Sequence, residues 1–230
     1  MGGRISDFTV AVPGAGGAIH ISARTYHASD PSAPCLVLGH GAGAGHDHPF
    51  MVAFASALAA RGTEVVTFNF PYAEQRRRLP DRNAVLEACW AAVIANVRER
   101  AGSRPLFIGG KSMGGRIASQ VAAGPEVEGL GLRGLVFLGY PLHPPGRPQQ
   151  LRIAHWPAVR LPALFVQGSR DPFAAPEDLR DHLGTWGGST GLLVVEDGDH
   201  SLKVRKGSGR PQEAVYAGVQ DAIAEWVKSR

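Results

Sequence analysis

Three residues in this 230-residue chain have the types and the order that acyl transfer needs. Ser112 lies in Gly110-Lys111-Ser112-Met113-Gly114, a G-x-S-x-G pentapeptide that follows the apolar run "PLFIGG" and opens the helical pattern "SMGGRIASQVAAG". A sharp strand-to-helix turn there would strain the serine backbone and lift Oγ above the sheet, with small residues on both sides letting the chain pass closely. A lone serine hydroxyl is a poor nucleophile, so a base and an orienting acid are required. Asp171 follows the run "PALFVQG" and His200 follows "GLLVVED", giving the order serine, acid, histidine. Each stands where a strand should end. Asp171 also has the reading of a turn or helix-cap residue, and Glu196, Asp197 and Asp199 compete for the acid role. Those three lie too close to His200 along the chain to orient it easily and are expected at the surface. His182 falls inside the helical pattern "PEDLRDHLGTW", where a solvated or capping histidine is expected.

An acyl-transfer site also needs two backbone donors for the oxyanion. The Met113 N–H is one. The second should come from His40-Gly41-Ala42-Gly43-Ala44-Gly45, a loop of small residues after the apolar run "CLVLG". Ala42 is the expected donor, with Gly43 the alternative.

Three other chemistries share these segments. A phosphate-binding G-x-x-x-x-G-K-[ST] loop would need glycine at position 105, which is Pro105. Gly39 through Ala44 satisfies G-x-G-x-x-A, a dinucleotide-binding pattern, but no acidic residue stands at the end of the next strand and His40 would crowd a pyrophosphate. His46-Asp47-His48 hints at metal, yet a third ligand and an HExxH are missing. A helix start fits better, with Asp47 as cap and Pro49 in the first turn. No cofactor and no metal are expected.

The elements that must position the triad can be read as well. "DFTVAV" and "AIHISARTY" alternate as an opening hairpin. After them, continuous apolar strands alternate with helical segments, from "CLVLGH" through the strand "EVVTFNF", residues 64–70, to the closing helix "QEAVYAGVQDAIAEWVKS". This is the signature of an α/β fold, a mostly parallel sheet with an N-terminal antiparallel hairpin and helices on both faces. Working residues then collect beyond the carboxyl ends of the strands. A single domain over 1–230 is expected, because this length supports one full core. The stretch between "FLGY" and "PALFVQG" is only about twenty residues and Pro-rich, too short for a helical cap. No large cap domain and an open, shallow site are expected.

A hydrophobic fraction of 44% with 19% charged residues is ordinary for a globular chain. No apolar stretch suits a membrane span, and the N-terminus lacks the apolar core of a secretory signal, so a cytoplasmic protein is expected. The net charge of +4 comes mostly from scattered arginines. Arg76-Arg77-Arg78 form the one run, without aromatic interleaving, which argues against nucleic acid. That run reads as a solvated face, or else as a contact to an acidic group of a substrate. Cys35 and Cys89 sit in apolar surroundings and read as buried free thiols. The assembly is expected to be a monomer or homodimer.

The segments "VLGHGAGAGHDHPFM", "FNFPY", "RRRLPDR", "GGKSMGGRIAS", "LGYPLHPPGRPQQLR", "LFVQGSRDPF" and "DGDHSL" resemble one small alpha/beta-hydrolase family over about residues 36–202. Its eukaryotic relatives include a testis-expressed protein and the third regulatory subunit of the NSL histone-acetyltransferase complex. It is broadly similar to dienelactone hydrolases. The resemblance implies Ser112 as nucleophile, Asp171 as acid and His200 as base. Dienelactone hydrolases proper use a cysteine nucleophile, so their lactone substrate does not carry over to a chain with Ser112. The resemblance also brings a rival function, a catalytically idle fold that serves as an interaction module.

Residues beside the strand ends define the expected substrate walls: Phe50, Tyr72, Met113, Tyr140, Phe173 and Leu202. An apolar pocket with few fixed charges favours short acyl esters, small molecules rather than lipids or peptides. Lys111 is expected to lie along the helix flank, away from the acyl carbon. The reading as a whole is a carboxylesterase-type serine hydrolase.

Overall fold

The computed structural model describes residues 3–14, 16–125 and 128–230. Its eight strands are β1 (Ile5–Val12), β2 (Ile19–Tyr26), β3 (Cys35–Gly39), β4 (Glu64–Phe68), β5 (Leu106–Lys111), β6 (Leu132–Leu138), β7 (Ala163–Gly168) and β8 (Thr190–Val195). They form one sheet in the order β1-β2-β4-β3-β5-β6-β7-β8. β2 runs antiparallel to both β1 and β4, and every later pairing is parallel. β3, β5 and β7 are buried along their whole length. Their unbroken apolar runs therefore reflect cover on both faces.

Among the described residues six α-helices supply that cover: α1 (Pro49–Ala60), α2 (Pro71–Glu74), α3 (Asn83–Ala101), α4 (Met113–Ala122), α5 (Pro176–Leu183) and α6 (Gln212–Lys228). α3 and α4 bury Trp90, Ile94, Ile117 and Val121 in one core. α1 and α6 bury Phe54, Leu58, Val219 and Ile223 in the other. Cys35 and Cys89 are free thiols in the first core, and burial pushes the Cys35 thiol up to about 12. Both are inert there.

Two boundaries differ from the sequence reading. The cap of α1 is His48, whose ring accepts the Phe50 N–H at 3.2 Å, and not Asp47. Proline at the first helical position holds its predecessor in an extended conformation, so the cap falls immediately before Pro49. β4 stops at Phe68 rather than running on to Phe70, because the Phe70 N–H leaves the sheet for His40 Nε2 at 3.1 Å. Between β6 and β7 the chain makes only a 3₁₀ turn at Trp156–Ala158, which leaves the carboxyl edge of the sheet without a helical cap. Among the described residues no helix is long and apolar enough to cross a membrane.

Candidate active site

Ser112 joins β5 to α4 with φ 51° and ψ −117°. A non-glycine residue in this region stores about 1–3 kcal/mol of strain. Neighbours hold it there. The Ser112 N–H donates to the Leu138 carbonyl at 3.1 Å. Gly114 lies so close to β3 that a Cβ on it would collide with the Gly39 carbonyl. The two glycines of the pentapeptide motif are therefore a packing requirement, and they raise Ser112 above the end of β5.

His200 arrives from the loop after β8 and Asp171 from the loop after β7. His200 Nε2 lies 2.8 Å from Ser112 Oγ, and His200 Nδ1 lies 2.7 Å from Asp171 Oδ2. The ionised carboxylate can only accept, so Nδ1 carries the proton and Nε2 is left to accept from the serine hydroxyl. The Asp171 side chain is fully buried, and both of its carboxylate oxygens accept hydrogen bonds. Its Oδ1 accepts the Phe173 N–H at 2.9 Å, and its Oδ2 also accepts from Gln167 Nε2 at 2.8 Å. Gln167 further donates to the Ala174 carbonyl and accepts the Tyr140 N–H. It locks the acid loop to β7. The Phe173 ring lies 4.2 Å from the His200 ring, centroid to centroid, and limits its rotation.

The His200 loop is anchored from below. Leu202 adopts φ 61° and is fully buried in the second core. Asp199 accepts the Ser201 and Lys203 amides, and Tyr216 Oη donates to the Ser201 carbonyl. Asp199 is thus half-buried loop structure, facing backbone amides instead of solvent.

The loop after β3 completes the site. The Gly41 carbonyl accepts from His40 Nδ1 at 2.8 Å and from Tyr72 Oη at 3.4 Å. That carbonyl and the Ala42 N–H belong to one trans peptide and point in opposite directions. Tying the oxygen inward therefore turns the Ala42 N–H outward. Ala42 and Met113 both line the cleft that holds Ser112 and His200. Burial pulls the His40 imidazole down to about 4, so it stays neutral and keeps both hydrogen bonds at physiological pH.

The cleft has a volume of about 510 Å³, within the range of small-molecule sites. The comparisons with known proteins bear on this arrangement. A model described as "Alpha/beta hydrolase domain" matches residues 32–228. The chain belongs to that family. A dienelactone hydrolase from Anabaena variabilis superposes with TM-score 0.74 at 16% identity over 98% of each chain. Est1E from Butyrivibrio proteoclasticus gives 0.73 at 12% identity, over 96% of this chain and 99% of its own. An alpha/beta serine hydrolase without lid from Xanthomonas campestris gives 0.70 at 20% identity, over 97% and 95%. At these identities the likeness establishes the alpha/beta-hydrolase fold.

Within that fold, Phe50, Met113 and Phe173 line the cleft. Three residues expected as walls do not. Tyr72 is a strut beneath the Gly41 peptide, Tyr140 is buried against Trp156 and Phe165, and Leu202 is the anchor described above. Their positions beside strand ends are as expected, but the side chains turn inward. The expectation of few fixed charges also fails. Asp81, Lys111, Arg116 and Arg152 all reach the cleft. Lys111 departs from the helix flank assigned to it: its ammonium is buried without a hydrogen-bond partner, and desolvation brings it down to about 8. Arg76, Arg77 and Arg78 are exposed around a separate depression, where Arg77 pairs with Asp81 at 2.6 Å. Among the described residues no cluster suits a metal ion.

This hydrolase fold contains a second serine–histidine pair. Ser119 Oγ lies 2.8 Å from His155 Nε2. Ser119 is fully buried inside α4 and donates its one hydroxyl proton to the Arg116 carbonyl at 2.6 Å. His155 Nε2 must then be the donor, which leaves it unable to act as base toward Ser119.

Proposed function

We propose that the protein is a serine esterase in which Ser112, His200 and Asp171 act as nucleophile, base and orienting acid. The observation that carries this reading is the 2.8 Å contact between His200 Nε2 and the strained Ser112 at the cleft. His200 accepts the Ser112 proton as Oγ attacks the ester carbonyl. The Met113 and Ala42 amides receive the oxyanion, the term usually worth most to such a site. The imidazolium, stabilised by Asp171, then protonates the leaving alcohol. A water molecule activated by His200 releases the acid from the acyl-enzyme. No step calls on a metal or cofactor.

The cleft volume favours small esters, and the whole chain acts as one hydrolase domain in this reading. Ferulic acid has been seen bound to Est1E, which supports a compact, partly aromatic substrate as a type to try. The test is covalent labelling with a fluorophosphonate, together with turnover of p-nitrophenyl acetate. Wild-type protein should label at one site, and Ser112→Ala should abolish it. Folded wild-type protein that neither labels nor turns over would reject the esterase reading in favour of an idle interaction module.

A further inference from the structure

One part of the cleft wall carries two arginines. Arg116 stands one helical turn beyond Ser112 on α4, at the i+4 spacing that shares a face. Arg152 comes from the segment between β6 and β7, and both line the cleft. Arg116 Nη1 donates to the neutral Gln120 at 3.0 Å, while its Nε is buried without a partner. Among the described residues neither guanidinium forms a salt bridge with a carboxylate. Burial, and after it the like charge of Arg152, depresses the Arg116 guanidinium below its ordinary value, against smaller opposing effects of Tyr140 and Glu87. Asp81 also reaches the cleft; Arg77 holds its Oδ1 at 2.6 Å, its Oδ2 is buried without a hydrogen-bond partner among the described residues, and neither oxygen forms a salt bridge to Arg116 or Arg152.

Two half-buried cations beside each other destabilise a fold unless something offsets them. Yet buried hydrogen bonds fix the backbone of both. His155 Nε2–H donates to Ser119 Oγ, and Ser119 Oγ–H donates to the Arg116 carbonyl. Trp156 Nε1–H donates to Tyr140 Oη at 3.0 Å, and Tyr140 Oη–H donates to the Arg152 carbonyl at 3.3 Å. Ser119 Oγ and Tyr140 Oη lie 3.2 Å apart, so the two chains of hydrogen bonds run side by side in contact. The second serine–histidine pair therefore belongs to a frame that presents two guanidiniums to the space beside Ser112.

We propose that Arg116 and Arg152 form a carboxylate-binding subsite, so that the ester cleaved at Ser112 carries a free carboxylate on its acyl or alcohol part. Planar guanidiniums match a carboxylate with paired, charge-assisted hydrogen bonds, and among the described residues neither arginine has such a partner. The substrate class rests on the esterase reading above; binding of a carboxylate does not.

The test compares two matched pairs of esters. p-Nitrophenyl butyrate is set against mono-p-nitrophenyl glutarate for the acyl side, and phenyl acetate against 4-acetoxybenzoate for the alcohol side. The anionic member of one pair should show kcat/KM at least about tenfold higher, the scale of one hydrogen bond to a charged group. Arg152→Gln should bring that ratio close to one, and Arg116→Gln should do the same. In parallel, calorimetry on Ser112→Ala should detect glutarate binding that Arg152→Gln in the same background removes. Turnover of neutral esters with ratios near one in both pairs, and no glutarate binding, would overturn the subsite and leave the esterase standing. Glutarate binding to a protein that never labels would keep the subsite and remove the esterase. If Arg116→Gln fails to fold, Arg152→Gln and the wild-type ratios decide alone.

Discussion

Two serine–histidine pairs in this molecule share a 2.8 Å contact between Oγ and Nε2 and differ in almost everything else. Ser112 is strained, borders a cleft, and faces an imidazole whose other nitrogen is held by a carboxylate. Ser119 sits in a regular helix with no access to the cleft, and its proton is already given to a carbonyl. His155 shows no carboxylate partner in its hydrogen bonds, and burial together with the nearby Arg116 draws it down to about 4. Distance alone does not make a nucleophile. The direction of each proton, the acid behind the base and an open approach separate chemistry from scaffolding.

The largest expected difference comes from deleting the two serines in turn. Ser112→Ala should lower kcat for p-nitrophenyl acetate by roughly 10⁴-fold or more, with little change in stability. Ser119→Ala should keep turnover within about tenfold of wild type and lower the unfolding free energy by about 1–3 kcal/mol, since it strands a buried donor and a carbonyl. Equal loss of activity in both variants, measured at matched folded fractions, would erase the distinction.

Removing the acid alone sharpens the contrast further. Asp171→Asn should cost about 10³–10⁴-fold in kcat, because an amide can donate to Nδ1 and so favours the wrong tautomer. KM should move far less. The new amide nitrogen would face the Gln167 Nε2 donor, so some stability should be lost as well, and kcat is compared at matched folded fractions from denaturant titrations. Activity within tenfold of wild type would mean that His200 does not depend on this partner.

How far the sequence foretold the site follows from which way side chains turn. Ser112, Asp171 and His200 could be placed because strand ends and one pentapeptide are patterns along the chain, and the sheet brings strand ends together. Gln167 left a signal that went unused: it is a polar residue inside the buried run "ALFVQG", and such a group must find partners. Arg116 left another in its spacing from Ser112. Tyr140 and Leu202 could not be oriented, since neither a period of two nor one of 3.6 applies in loops, and Tyr72 sits in a single helical turn too short to show a period. Leu202 turns inward through a left-handed backbone that nothing in "DGDHSLK" announces. Arg152 lies in an irregular segment whose path depends on the Trp156 and Tyr140 packing beneath it.

The smallest effect concerns the pH response of the second pair. His155 is held near 4, below its usual 6.5, so the unfolded chain binds the extra proton first as pH falls. Stability is complete above about pH 6.5 and declines toward pH 4, with a slope set by the difference in bound protons. His40, also held at about 4, acts in the same direction and is more deeply buried. His40 should account for about 2 kcal/mol of the loss between pH 7 and pH 5, and His155 for about 1, its share reduced by partial contact with water. Replacing His155 with Gln keeps an N–H donor for Ser119 and removes the titration. Urea unfolding of His155→Gln should therefore show a pH 7 to pH 5 decrease smaller than wild type by about 1 kcal/mol. The Ser112 labelling rate is a control on the same samples, because the substitution leaves the Ser112–His200 contact untouched. An unchanged slope would place the His155 ring in contact with enough water to behave as a surface group, and would remove the buried frame that now separates the two pairs.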